Sequence, residues 1–113
     1  MIESTVIRFL EKHLAGVKVC GKEPESPPGK MVVVDKTGGG KEGPGVFDAT
    51  IVVQSYGPTK EAAMLLNEEV KEAMEHLAEL DDISSCELNT DYPYTDTRKK
   101  RDRYQAVFDI VHY

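Results

Sequence analysis

The chain has no tryptophan, only two cysteines, three histidines and three phenylalanines among 113 residues. Cys20 and Cys86 lie far apart, with neither CxxC nor paired metal-ligand spacing, so reduced thiols packed in a core are expected rather than a disulfide framework. His13, His76 and His112 form no HxxxH or HExxH pattern, and His13 falls near an apolar stripe, which predicts a packed core histidine rather than a base. No apolar run approaches the ~20 residues of a membrane-spanning helix. The start, Met1-Ile2-Glu3-Ser4, lacks the basic and apolar regions of a signal peptide. Folding in the cytosol, with no membrane partner, is the expectation.

Motifs that would carry chemistry are equally sparse. Gly38-Gly39-Gly40-Lys41 superficially resembles a phosphate loop, but a phosphate loop needs a glycine five positions before Gly-Lys, then Ser or Thr, then a helix. Here Glu42 takes the hydroxyl position and Pro44 leads back into a strand pattern. Asp91, Asp96 and Asp102 lack the two-residue ligand spacing and central glycine of a calcium loop. Ser84 and Ser85 have no nucleophile-elbow context. These readings predict a protein that is not an enzyme, takes no cofactor, metal or small-molecule substrate, and works by contact.

What the chain does have is ordinary globular usage, 40% hydrophobic and 30% charged. Its length fits one domain, residues 1–113, that hides roughly 65% of its unfolded surface in a two-layer core. The net charge of -6 makes the molecule as a whole repel nucleic acid, so any contact with DNA must be local.

Apolar residues at Ile2, Val6, Phe9, Leu10 and Leu14 recur at helical spacing and predict a helix over 2–15, closed by Gly16 in a left-handed conformation. Val17–Cys20 and Met31–Asp35 read as short strands, the second covered on both faces. The three prolines of Lys22–Lys30 mark a surface connection. Val46–Tyr56 alternates Phe47, Ala49, Ile51 and Val53 inward, so Thr37–Gly45, rich in glycine, is expected to be a long mobile hairpin loop. Pro58 or Thr59 opens a helix to about Leu80, with Ala62, Leu66, Val70, Ala73, Leu77 and Leu80 as its stripe, widened by Ala63 and Met74. Its wet face carries Glu68, Glu72, Glu75 and Glu79. Ile83–Asn89 and Tyr104–Tyr113 read as a second hairpin with a flexible loop over 91–102. The order α-β-β-β-α-β-β predicts an α+β two-layer sandwich, with a mostly antiparallel sheet and two helices.

The most informative charge feature is Arg98, Lys99, Lys100, Arg101 and Arg103, a local +4 with Asp102 included, in a chain whose remainder sums to -10. It is expected to form a basic finger that meets either phosphate or an acidic neighbour. Docking on the Glu68, Glu72, Glu75 and Glu79 face of another copy would suit a head-to-tail ring, with the Gly38–Lys41 loop as a second contact.

Ala49–Tyr56 (ATIVVQSY), Leu66–Met74 (LNEEVKEAM), Cys86–Tyr92 (CELNTDY) and Arg103–Phe108 (RYQAVF) resemble the tail-completion, or tail terminator, proteins of long-tailed bacteriophages. The resemblance covers residues 46–113. It implies a structural virion protein at the head-tail junction that forms a ring, a hexamer in that family, on the tail tube protein and meets the head-closure or connector protein. It also implies assembly in the host cytoplasm, while the basic run separately suggests a local contact with phage DNA. A head-closure, connector or minor capsid protein of the same module is the neighbouring reading. A small nucleic-acid-binding module is a third, opposed by net charge.

Overall fold

The structure is a computed structural model that describes residues 1–113. Its elements are α1 (Ile2–His13), β1 (Lys18–Cys20), β2 (Met31–Gly43), β3 (Val46–Gly57), α2 (Lys60–Met74), β4 (Ile83–Pro93) and β5 (Asp102–His112), with one 3-10 turn at Leu77–Glu79. This is the α+β order read from the sequence. The five strands form one sheet in the order β1-β2-β3-β5-β4, antiparallel except for β1 beside β2.

Both helices cover one face of the sheet. Val6, Phe9 and Leu10 of α1 and Leu66, Val70 and Met74 of α2 meet Val32, Val34, Ile51, Val53, Ala106, Phe108 and Ile110 in a single buried cluster. The period-2 alternation of β3 and β5 selects which side chains point at the helices. A smaller cluster, Met31, Val33 and Tyr56, with Cys20 against it, lies outside the main core. All four residues from Met31 to Val34 are therefore buried, as expected for a strand covered on both faces.

Four readings are corrected. Thr37–Gly43 is not loop but the outer half of β2, paired with β3 down to a turn at Pro44-Gly45, where Gly45 has φ +74°. Glycine weakens a strand through its entropy cost, yet here β3 offers each peptide a ladder partner, and bulges after Lys36 and Lys41 absorb the irregularity. The second loop likewise shrinks to 94–101, because β4 runs to Pro93 and β5 starts at Asp102. α2 stops at Met74, and the chain tightens into the 3-10 turn. The buried face of α2 is Ala63, Leu66, Asn67, Val70, Ala73 and Met74, so Ala62 and Leu80 lie off the stripe, and Leu80 is exposed.

Two aromatic-side readings also change. His13 is exposed rather than packed, with its ring stacked on Phe9 at 4.1 Å and Nδ1 bonded to the Phe9 carbonyl at 2.9 Å. Phe47 shares the inward face of β3 but lies beyond the helices, half exposed, stacked on His112 at 5.8 Å. Gly16 does adopt a left-handed φ of +76°, and the Thr59 hydroxyl caps α2 by accepting from the Ala62 N–H at 3.0 Å.

Candidate functional site

Each sequence-derived candidate has a definite place. Gly38, Gly39, Gly40 and Lys41 lie on β2, whose outer edge is paired only at Met31, Val32 and Val33, where β1 lies alongside. From Val34 to Gly43 that edge has no strand beside it. At the other border of the sheet the outer edge of β4 is open over its full length, Ile83–Pro93. Such edges present rows of unpaired N–H and C=O groups that template the addition of another strand.

The two open edges match each other. Cross-strand register puts Val34, Val53, Ala106 and Asp91 in one row, Lys36, Ile51, Phe108 and Leu88 in another, and Lys41, Phe47, His112 and Ile83 in a third. The free stretch of β2 therefore spans the same rows as β4 from Asp91 to Ile83. Because β2, β3, β5 and β4 alternate in direction, β4 runs opposite to β2.

The basic tip is already engaged within its own chain. Arg101 donates to Glu23 at 2.8 Å and to the Pro28 carbonyl at 2.9 Å, with its guanidinium 4.7 Å from the centre of the Tyr56 ring. Lys99 adds a second cation to Glu23 at 3.1 Å. Arg103 donates to the Tyr94 carbonyl at 2.6 Å and the Tyr56 hydroxyl at 2.8 Å, between the two aromatic rings. These contacts fasten the proline-rich strap, residues 21–30, over the cluster of Met31, Val33 and Tyr56. Arg98 and Lys100 are exposed and take part in no ion pair.

On α2 and the 3-10 turn that follows it, Glu68 pairs with Lys71 at 2.9 Å and Glu79 with His76 at 2.7 Å, while Glu72 and Glu75 are exposed without ion pairs. The tip and this acidic face are not brought together. The tip lies past the row of Gly57 and Asp102, whereas Glu79 belongs to the turn that leads into Ile83 at the opposite end of the sheet.

Sequence reasoning missed Glu23, Tyr56 and a polar pin under α2. Asn67 is fully buried and donates to Asp91 at 2.9 Å, and Lys71 reaches the same carboxylate at 2.9 Å. The signal was present in the helical spacing, since Asn67 follows Ala63 by four and precedes Val70 by three, but a polar residue in a stripe does not name its partner. Hydrogen bonds from Lys71 and then Asn67 hold the Asp91 carboxyl below its ordinary value, and Glu68 and Asp91 push Lys71 up.

The other perturbed groups have equally local causes. A hydrogen bond to Asp48 raises Glu42, the Glu79 carboxylate raises His76, and the Lys99 N–H lowers Asp96. Burial pushes the Cys86 thiol up to about 11, which keeps it protonated and unreactive at neutral pH. Cys20 on β1 and Cys86 on β4 stand at opposite borders of the sheet, four strand spacings or about 19 Å across it and also offset along the strands, and both are free thiols. A groove of about 340 Å³ between the helices is lined by His13, Leu14, Glu69, Glu72, Ala73 and His76. No trio of His, Cys, Asp or Glu is arranged to hold a metal. No protein-family model matches the sequence, and no curated protein shows significant similarity to it.

Proposed function

We propose that this protein is a structural assembly unit that closes into a ring through its sheet edges, and that the ring is the tail-completion piece of a long-tailed phage. On this reading it caps the tail tube and meets the head-closure or connector protein. The observation that carries ring formation is the pair of open, level and oppositely directed edges, β2 from Val34 to Gly43 and β4 from Ile83 to Asp91. Joining β4 of one copy to β2 of the next makes an antiparallel ladder and uses both edges of every copy. A dimer through one edge would leave the other open in each copy. The contact is heterologous, so it closes into a cyclic ring when the rotation per copy divides a full turn. The phage role and the sixfold count come from the family resemblance of residues 46–113.

Proline is accommodated on an edge strand where its missing N–H would have faced outward, so Leu88→Pro and Lys36→Pro serve as blocks of the two edges. Sedimentation velocity on wild type should show mass rising with concentration to a closed species, annular by negative-stain microscopy. Each block alone, with its circular dichroism unchanged, should stay monomeric. Mixed together they should stop at dimers, because one intact edge of each kind remains. Rings that survive either block would overturn the edge reading.

A further inference from the structure

We infer that one rim of this assembly binds the phosphate backbone of duplex DNA, through the hairpin tip at residues 94–103 and the strap at 21–30; the inference rests on the ring reading for its geometry. The strap and tip together hold seven basic and four acidic residues, a local +3 in a chain of net -6. The basic residues are Lys22, Lys30, Arg98, Lys99, Lys100, Arg101 and Arg103. Only Lys99 and Arg101 have a carboxylate partner, and they share a single one, Glu23. Arg98 and Lys100 point into solvent without an ion pair, and Arg103 is held by a carbonyl, a hydroxyl and two aromatic rings, with Asp96 nearby but not paired to it.

The tip is preorganised rather than loose. The Asp96 carboxylate accepts from the backbone N–H groups of Arg98 and Lys99 at 3.1 and 3.2 Å, the backbones of Asp96 and Arg101 bond each other, and Lys100 takes a left-handed φ of +51°. A turn fixed in this way holds Arg98 and Lys100 outward at little further ordering cost when a polyanion arrives. The tip also adjoins the face of the sheet turned away from the helices. There a hydrogen-bonded line runs from Arg103 through Tyr56, Gln54 and Gln105 to Tyr92, and Tyr94 lies edge-on to Tyr92 at 6.0 Å.

Level pairing of β4 with a neighbouring β2 gives every copy the same height, so all tips project from one rim. A single tip offers a few cations and binds weakly. A ring of tips around one axis raises the effective concentration of each contact once another is made. The rest of the chain is acidic and repels phosphate, which confines DNA to that rim. The same level pairing separates each tip from Glu79 of the neighbouring copy by the length of the sheet.

The test measures binding of the full chain to a fluorescent duplex of about 30 base pairs by anisotropy, with assembly followed in the same samples by sedimentation. Wild-type rings should bind at about 20 mM salt and lose affinity at least tenfold by about 200 mM. The double variant Arg98→Glu, Lys100→Glu removes no side-chain hydrogen bond or ion pair, so it should assemble as wild type does and lose affinity at least tenfold at low salt. Rings that form but ignore the duplex would overturn this inference and leave the ring reading intact. A chain that binds the duplex equally well as a monomer would sustain the tip's role and count against the ring. Loss of assembly in the double variant, with DNA binding unchanged, would assign the tip to a protein neighbour and overturn the inference.

Discussion

The two hairpins were the two glycine-, proline- and charge-rich interruptions of the sequence, and the structure orders them by different means. The outer half of β2–β3 is held chiefly by backbone: Gly38, Gly39 and Gly40 have no side chains to pack, and their peptides pair with Thr50, Ala49 and Asp48. The β4–β5 tip is held by side chains, with Arg101 and Arg103 against Tyr56 and Arg101 and Lys99 on Glu23. A glycine run therefore does not by itself predict mobility when a strand of matching length lies next to it, and a charge run does not by itself predict a free surface when a carboxylate and an aromatic ring lie within reach.

Substitutions at four positions test that contrast. The largest effect is expected where backbone meets backbone. A Cβ on Gly57, at the end of β3, would lie 2.5 Å from the Ala63 nitrogen and 2.9 Å from the Ala62 carbonyl carbon, so Gly57→Ala should cost about 3 kcal/mol in urea unfolding. Next, Asp91→Ala leaves buried Asn67 without its acceptor and Lys71 with one partner fewer, a loss of about 2 kcal/mol. Asp91 is depressed in the fold, so its contribution is present above the ordinary carboxylate value of 3.8 and fades as pH falls through the lower folded value. Acid titrations of thermal stability should accordingly be flatter for Asp91→Asn than for wild type below about pH 4.

Arg101→Ala should cost about 1 to 2 kcal/mol, since one partly exposed ion pair and one cation-π contact disappear. Its sharper signature is in hydrogen exchange, with residues 21–30 losing protection while β2–β3 keeps its own. The smallest effect is a gain. A Cβ on Gly38 meets nothing closer than the Thr50 Oγ1 at 3.8 Å, so Gly38→Ala should add about 0.5 kcal/mol by restricting the unfolded chain. A loss at Gly38 would mean that the outer half of β2 is not the ordered strand described above.

Most of the architecture was legible in side-chain periodicity. Ala106, Phe108 and Ile110, or Val6, Phe9 and Leu10, announce both element and buried face, because their spacing is set by burial itself. Residues 37–43 were illegible for the opposite reason: a strand made of glycine and lysine carries no periodic burial, and only its partner β3 reveals it. The clasp at Glu23 and the pin at Asp91 join residues distant in sequence, Glu23 to Arg101 and Asn67 to Asp91. A lone glutamate among prolines gives no hint of an arginine on a far hairpin, nor does an asparagine in a helical stripe announce its aspartate.

β1 is three residues long and adds little to the core beyond Val19, yet its position has a consequence for sliding. Any strand that docks on the outer side of β2 can shift along it only until it abuts Cys20, which occupies the place beside Val33. β1 is thus an end-stop on an otherwise featureless rail: where three glycines give a docking strand little to grip, it forbids displacement toward Met31, and with it the upward creep from copy to copy that would turn a closed circle into a spiral.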